Sequence, residues 1–181
     1  MRVLGLDPGS RVTGFGLVER LGNHYRCLAH GVATANARLP LAQRLIAIVE
    51  RVGEVLDQTA PDCVAVETAF YHENVRSALV LGHVRGALLV AAAQRGFEIA
   101  EYSPREIKLS VAGNGGAAKE QVSYMVKRLL RPDGTLATDA GDALAVALCH
   151  LNRAGRIEPR ARAATAAARE LQALLARRSV R

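Results

Sequence analysis

The hydrophobic pattern of this chain changes period at Pro40, and that change limits what it can fold into. Ahead of Pro40, Arg2–Asp7, Val12–Arg20 and His24–Ala33 are strand-like runs, rich in branched residues. Gly22-Asn23 joins the last two as a hairpin, and Pro8-Gly9-Ser10 turns the chain after the first. Pro8 also holds Asp7 extended. Three strands so connected predict an antiparallel meander. Beyond Pro40 the period lengthens: Leu41, Leu45, Ile48, Val49, Val52 and Leu56 share one face of a helix that stops before Pro61. Cys63–Glu67 is then a short, mostly apolar run of the kind found in a strand covered on both faces.

The polar stretch Thr68–Asn74 reads as a loop, followed by a long helix over Val75–Arg95 and a strand over Phe97–Tyr102. Ser103-Pro104-Arg105-Glu106 supplies a capping Ser, Pro at the first helical position and Glu at the third, opening a helix that runs to Val111. Gly113-Asn114-Gly115-Gly116 breaks it. Two more helices, Ala117–Arg131 and Asp139–Arg153, are separated by Pro132-Asp133-Gly134. The predicted class is α/β: a five-stranded mixed sheet, three strands antiparallel and two parallel, with helices on both faces. At 181 residues a single domain is expected. Its body spans residues 1–152, and 153–181 form a basic, Ala/Arg-rich tail, helical or disordered.

The formal charge of +7 belongs mostly to that tail. Arg153–Arg181 holds eight arginines and two acids, which leaves 16 basic and 15 acidic side chains for the rest. A basic composition therefore does not by itself make the body a nucleic-acid binder. Cys27, Cys63 and Cys149 are odd in number and far apart, which excludes a disulfide framework and a zinc ribbon and fits the cytoplasm. The longest apolar runs, Ala87–Ala93 and Ala143–Cys149, are about a third of a membrane span. The first residues enter a strand without signal-peptide features. A cytoplasmic protein with no membrane partner is expected.

Four carboxylates stand out. Asp7 ends the first strand, and Glu67 ends the apolar strand expected at the centre of the sheet. Asp139 and Asp142, three apart, project from one face at the start of the last helix. Each has a structural account as well: Asp7 as a turn former, Glu67 as a strand-end charge, Asp139 as a residue favoured by the helix dipole. Asp142 faces the packing side of an apolar helix and is the hardest to explain so. Bringing the four together would create repulsion and raised pKa values. A hard divalent cation resolves that conflict, and oxygen-only ligands select Mg²⁺ or Mn²⁺ over zinc. Two ions about 4 Å apart would clamp the attacking and leaving oxygens of a phosphodiester.

Asp7-Pro8-Gly9-Ser10 with Thr13-Gly14, Glu67 with Phe70 and Asn74, and Asp139-Ala140-Gly141-Asp142-Ala143 together resemble the RuvC family of Holliday junction resolvases. The likeness continues through Ser77-Ala78-Leu79, Leu81-Gly82, Arg85-Gly86, Lys108, Gly113, Lys119 and Gln121-Val122, and covers about residues 1–151. It implies a ribonuclease H-like fold, a homodimer, and paired symmetric nicks in a four-way DNA junction during recombination and repair. It also implies Asp7, Glu67, Asp139 and Asp142 as catalytic, metal-binding acids, with Asp7 bridging two ions. The branch-migration proteins RuvA and RuvB are the implied protein partners. Gly141 departs from the alanine usual between the paired aspartates, which should loosen the helix start slightly.

For DNA the candidates are Phe70, Tyr71, Arg76, Lys108, Asn114 and Lys119. The resemblance puts Phe70 at the junction centre, stacked on an unpaired base; packing beneath its loop is the alternative. Taken alone, Arg76, Lys108 and Lys119 each read first as a solvated surface charge; Lys119 has the strongest functional case, because it follows the glycine-rich loop and opens a helix, a setting suited to phosphate. Gly82 and Gly86 suit close helix packing, across a dimer or within one subunit. Two other functions compete. An actin-like kinase needs a second phosphate loop and an adenosine motif, neither of which the chain shows. A non-catalytic DNA-binding module predicts loss of one of the four acids, and all are present.

Overall fold

The computed structural model describes residues 1–68 and 74–154. Phe70, Tyr71 and the tail from residue 155 onward lie outside the described residues. The elements in order are β1 (Arg2–Asp7), β2 (Val12–Leu21), β3 (His24–Thr34), α1 (Leu41–Thr59), β4 (Cys63–Glu67), α2 (Val75–Gln94), β5 (Glu98–Tyr102), α3 (Pro104–Ala112), α4 (Lys119–Leu130) and α5 (Thr138–Ala154). The sheet runs β3-β2-β1-β4-β5. β1, β2 and β3 pair antiparallel, and β4 and β5 join parallel to β1. This is the mixed sheet that the period change predicts, with β1 at its centre.

Strand alternation sorts side chains into two cores. Leu4 and Leu6 of β1, Phe15 and Leu17 of β2, and Val64 and Val66 of β4 pack with α1 and α2. Val3, Val18, Cys63 and Ala65 face the other way, onto α3, α4 and α5. Asp7 and Glu67 continue that second set. Leu6 pairs with Val66 in parallel register, so the two acids close their strands side by side beneath α5.

α5 is the central helix, buried along nearly its whole length from Ala140 to Leu151. Leu144, Leu148 and Leu151 are fully buried, each contributing about 1.5–3 kcal/mol. What seats this helix is the absence of side chains beneath it. A methyl group at Gly5 would overlap the Ala143 carbonyl, one at Gly14 the Asp139 carbonyl, and one at Gly16 the Leu144 side chain. The helix backbone therefore lies directly on β1 and β2. It also carries on through Ala154, past the domain boundary expected at Asn152, where the Arg153 guanidinium meets Glu106 at 2.8 Å and sits over Tyr102.

Local sequence signals set the other ends. The Glu106 amide donates to Ser103 Oγ at 3.3 Å and the Ser103 amide to Glu106 Oε2 at 2.9 Å, the expected capping box. Asn74 caps α2 by accepting from the Arg76 and Ser77 amides. By length and composition α2 is apolar enough to cross a membrane, although only part of it is covered: Val84, Leu88, Ala91 and Ala92 are buried.

The glycines separate two kinds of position. Gly14→Ala must push α5 off the sheet and is expected to cost about 3 kcal/mol or more. At Gly141 a methyl would meet only Leu136, at an ordinary 3.5 Å. Gly141→Ala should therefore stabilise the fold by about 0.5–1 kcal/mol through helix entropy. Urea unfolding of the two variants beside wild type measures both, and opposite signs are expected.

Candidate active site

Burying α5 against β1 fixes where its first turn points. Asp7, Glu67 and Asp142 line one cavity of about 280 Å³, together with Lys108 of α3 and Lys119 of α4. Pro104, Ile107, Val122 and Ala145 complete its walls. Asp139 does not line it, but stands near enough for its charge to act on both Asp7 and Lys119. Three of the four predicted acids and two of the predicted cations thus converge from separate parts of the chain.

The electrostatics follow from that crowding. Burial, then the negative charges of Glu67 and Asp142, then a shared proton with Glu67 and the charge of Asp139 push Asp7 from 3.8 up to about 8. Glu67 is raised too, chiefly by burial, while the proton it shares with Asp7 and the charges of Lys119 and Lys108 oppose the rise. Lys119 Nζ donates to Asp142 Oδ2 at 2.6 Å, and this bond raises the lysine above its ordinary value. Both partners are partly exposed, so the pair adds little to stability.

The donor set is carboxylate oxygen alone, which fits a hard divalent cation and not zinc. Among the described residues no three candidate ligands already stand grouped for one ion. Asp142 is drawn toward Lys119. The negative potential that keeps a proton on Asp7 is the same potential that attracts a metal ion.

The remaining predicted residues divide. Arg76 lines a second cavity of about 570 Å³, shared with Asp7, Ser10, Arg11, Arg44 and Ser77. Sequence reading missed Arg11 and Arg44, which carry no spacing signal and meet only in the fold. Asn114 is not brought to the acids: its Oδ1 accepts from the Gly116 amide at 2.9 Å, and its side chain borders a shallow groove beside Tyr124. Thr13, part of the motif that starts at Asp7, is a residue to which sequence reading gave no role of its own. Its buried hydroxyl donates to the Gly9 carbonyl at 2.9 Å and accepts from the Gly9 amide at 3.2 Å, pinning the loop that follows Asp7.

A five-stranded mixed sheet with acids ending its two central strands and a third on the helix across them defines the ribonuclease H-like class of nuclease folds. The family described as Crossover junction endodeoxyribonuclease RuvC matches residues 3–150. The chain belongs to the RuvC family. It is 49% identical over 150 residues to the RuvC of Bordetella avium, covering 83% of each chain. To that of Alkalilimnicola ehrlichii it is 48% identical over 153 residues, covering 84% of this chain and 92% of the relative. Among solved structures, T. thermophilus RuvC in complex with Holliday junction substrate superposes with a TM-score of 0.80 at 37% identity, covering 85% of this chain and 94% of that one.

Folding raises the Asp7 pKa, so the folded chain keeps a proton there that the unfolded chain releases. This group's contribution to stability is therefore largest below about pH 4 and is lost as pH rises through 8. Asp7→Asn keeps the shape and removes the ionisation. In EDTA it should raise the melting temperature at pH 8, and the gain should shrink toward zero at pH 4. Differential scanning calorimetry at the two pH values makes the comparison.

Proposed function

We propose that the protein is a structure-selective endodeoxyribonuclease that resolves four-way (Holliday) junctions by paired, symmetric, metal-dependent nicks in recombination and repair. The observation that carries this reading is the convergence of Asp7, Glu67 and Asp142 under Lys108 and Lys119, in a chain of the RuvC family. Asp7, Glu67, Asp139 and Asp142 would hold Mg²⁺ or Mn²⁺, two ions per site. When bound, the ions activate water and stabilise the charge of the leaving oxygen.

The chain's own groups do the rest. Lys119 opens α4 beside the acids and offers its ammonium to the scissile phosphate, and Lys108 flanks the same cavity from α3. Both lysines hold substrate charge that the carboxylates alone would repel. Phe70 and Tyr71 follow Glu67 closely in sequence, and we assign them to the unpaired bases at the junction centre, where stacking is worth about 1–3 kcal/mol per base. Arg76 contacts the backbone.

Two nicks call for two sites, and α2 supports a homodimer. Val75, Leu79 and Val90 are exposed apolar residues, and a methyl group at Gly82 or Gly86 on the same helical stripe would meet nothing within 4 Å. Packing within the subunit thus leaves this stripe uncovered among the described residues, and a second copy related by a two-fold axis would cover it. We extend the reading to RuvA and RuvB as further partners and to the cytoplasm as the compartment.

A synthetic four-way junction incubated with Mg²⁺, Mn²⁺ or EDTA, with nicks mapped on all strands, tests the activity. Wild type should cut two opposing strands with either metal and none in EDTA. Asp7→Asn and Asp142→Asn should cut at background levels yet still shift the junction in a binding gel, because phosphate contacts and not the acids supply affinity. Metal-dependent cutting by either variant would remove the acid assignment.

The dimer is tested separately. Leu79→Glu places a charge on the exposed stripe without touching the buried face of α2, so the fold should survive. Sedimentation equilibrium should find a monomer where wild type is a dimer.

A further inference from the structure

We propose that the second cavity at Asp7, formed by Arg11, Arg44 and Arg76 with Ser10 and Ser77, binds the DNA backbone next to the scissile phosphate. The inference rests on the nuclease reading above and extends it to a second phosphate subsite. Its ligand class is a phosphodiester of the same strand that crosses the acids.

The first argument is charge. Six arginines elsewhere are neutralised: Arg2 and Arg26 by Glu19, Arg51 by Glu54, Arg85 by Glu101, Arg95 by Asp57 and Arg153 by Glu106. Arg20, Arg38, Arg105, Arg128 and Arg131 also lack a carboxylate partner among the described residues, but none of them lines this cavity or that of the acids. Among the described residues Arg11, Arg44 and Arg76 form no ion pair with a carboxylate, and Asp7 is the single acid in the lining of their cavity. Three guanidiniums so placed repel one another, and an anion relieves all three at once. A phosphodiester is the anion a nuclease brings, and guanidinium geometry matches its two free oxygens.

The second argument is how the groups are held. Arg44 reaches from α1 and donates from Nη1 to the Ser10 carbonyl at 3.0 Å. Its Nε is shielded from solvent and has no partner among the described residues. A donor in that position is strengthened by its low-dielectric surroundings. Arg76 and Ser77 stand in the first turn of α2, whose positive end faces the same space. Ser10 and Ser77 add hydroxyls that donate to phosphate oxygens.

The third argument is continuity. Asp7 lines both cavities, so the lysines and the arginines occupy two adjoining spaces that meet at this acid. A strand laid over the acids meets cations in both spaces. That arrangement fixes its position along the groove, which the two lysines alone would not do.

The test is junction binding in EDTA, followed by fluorescence anisotropy across a salt series, for Arg11→Ala, Arg44→Gln and the double variant. Arg128→Ala, on the exposed face of α4 away from both cavities, controls for the removal of one charge. Each subsite variant should weaken binding roughly tenfold at low salt and lower the slope of log K against log salt by about 0.9 for each phosphate no longer neutralised. Arg128→Ala should do neither. Arg11 makes no side-chain hydrogen bond among the described residues, so its variant stays informative even where removal of the Arg44 bond to Ser10 unfolds the loop. Wild-type affinity and slope in a folded Arg11→Ala, or equal losses in Arg128→Ala, would overturn the subsite. Wild-type cleavage of the same junction under Mg²⁺ reports on the nuclease reading independently of either result.

Discussion

Everything at the site depends on one contact between backbones: the first two turns of α5 resting directly on β1 and β2. Helices ordinarily stand off a sheet by the depth of two side-chain layers. Here Gly5, Gly14 and Gly16 remove one layer where the Asp139 carbonyl, the Ala143 carbonyl and the Leu144 side chain come down. Asp142, one turn in, is thereby lowered to the level of the Asp7 and Glu67 side chains. A helix held by alanines or valines instead would carry Asp142 too far from the strand ends to share a cavity with them. The glycines weaken the strands in which they sit. The buried length of α5 and the two cores on either side of the sheet offset that cost.

The same contact creates an electrostatic conflict that the fold does not remove. Three carboxylates line one cavity with Lys108 and Lys119 as its counter-charges, and among the described residues only Lys119 bonds to one of them. The consequence is visible at Asp7, which keeps a proton far above the usual carboxylate range. A protein selected for stability alone would replace one of these acids with an amide at no steric cost. Retaining all of them makes sense for a site whose repulsion is relieved by a ligand, since the binding energy of a cation then includes the relief. The site's instability and its affinity for positive charge have one origin.

How much of this was legible in the sequence follows from which signals are local. The sheet could be read because alternation, the Gly22-Asn23 turn and the Ser103–Glu106 cap act over a few residues, and β1, β4 and α5 were placed within two residues of their observed ends. The pairing of Asp7 with Glu67 was implicit too, since both end strands on the α5 face. The glycines of β1 and β2 were not readable as seats for a helix, because a glycine in a strand looks the same whether it faces solvent, a bulge or a carbonyl. Asn114 looked like a ligand-facing loop residue, yet its amide is spent on the local turn, an equally common use of Asn after a helix. Arg11 and Arg44 come from a turn and a helix 33 positions apart, and nothing in the chain between them signals that they meet.

Net charge illustrates the same limit from another direction. Outside the basic tail the chain is within one charge of neutral, a composition that says nothing about nucleic acid. Neutrality on average conceals a sorted surface. Six arginines are matched with acids and contribute little field, while Arg11, Arg44 and Arg76 share one cavity beside Asp7 and Lys108 and Lys119 share another. At physiological salt the field of an exposed charge is largely screened beyond about 8 Å, so what a phosphate experiences is set by the charges lining its groove and not by the total. A near-neutral body with cations sorted into two cavities at an acidic centre attracts a backbone without binding duplex everywhere on its surface. For an enzyme that must choose a branched structure over an excess of ordinary duplex, that sorting is more useful than a high overall charge.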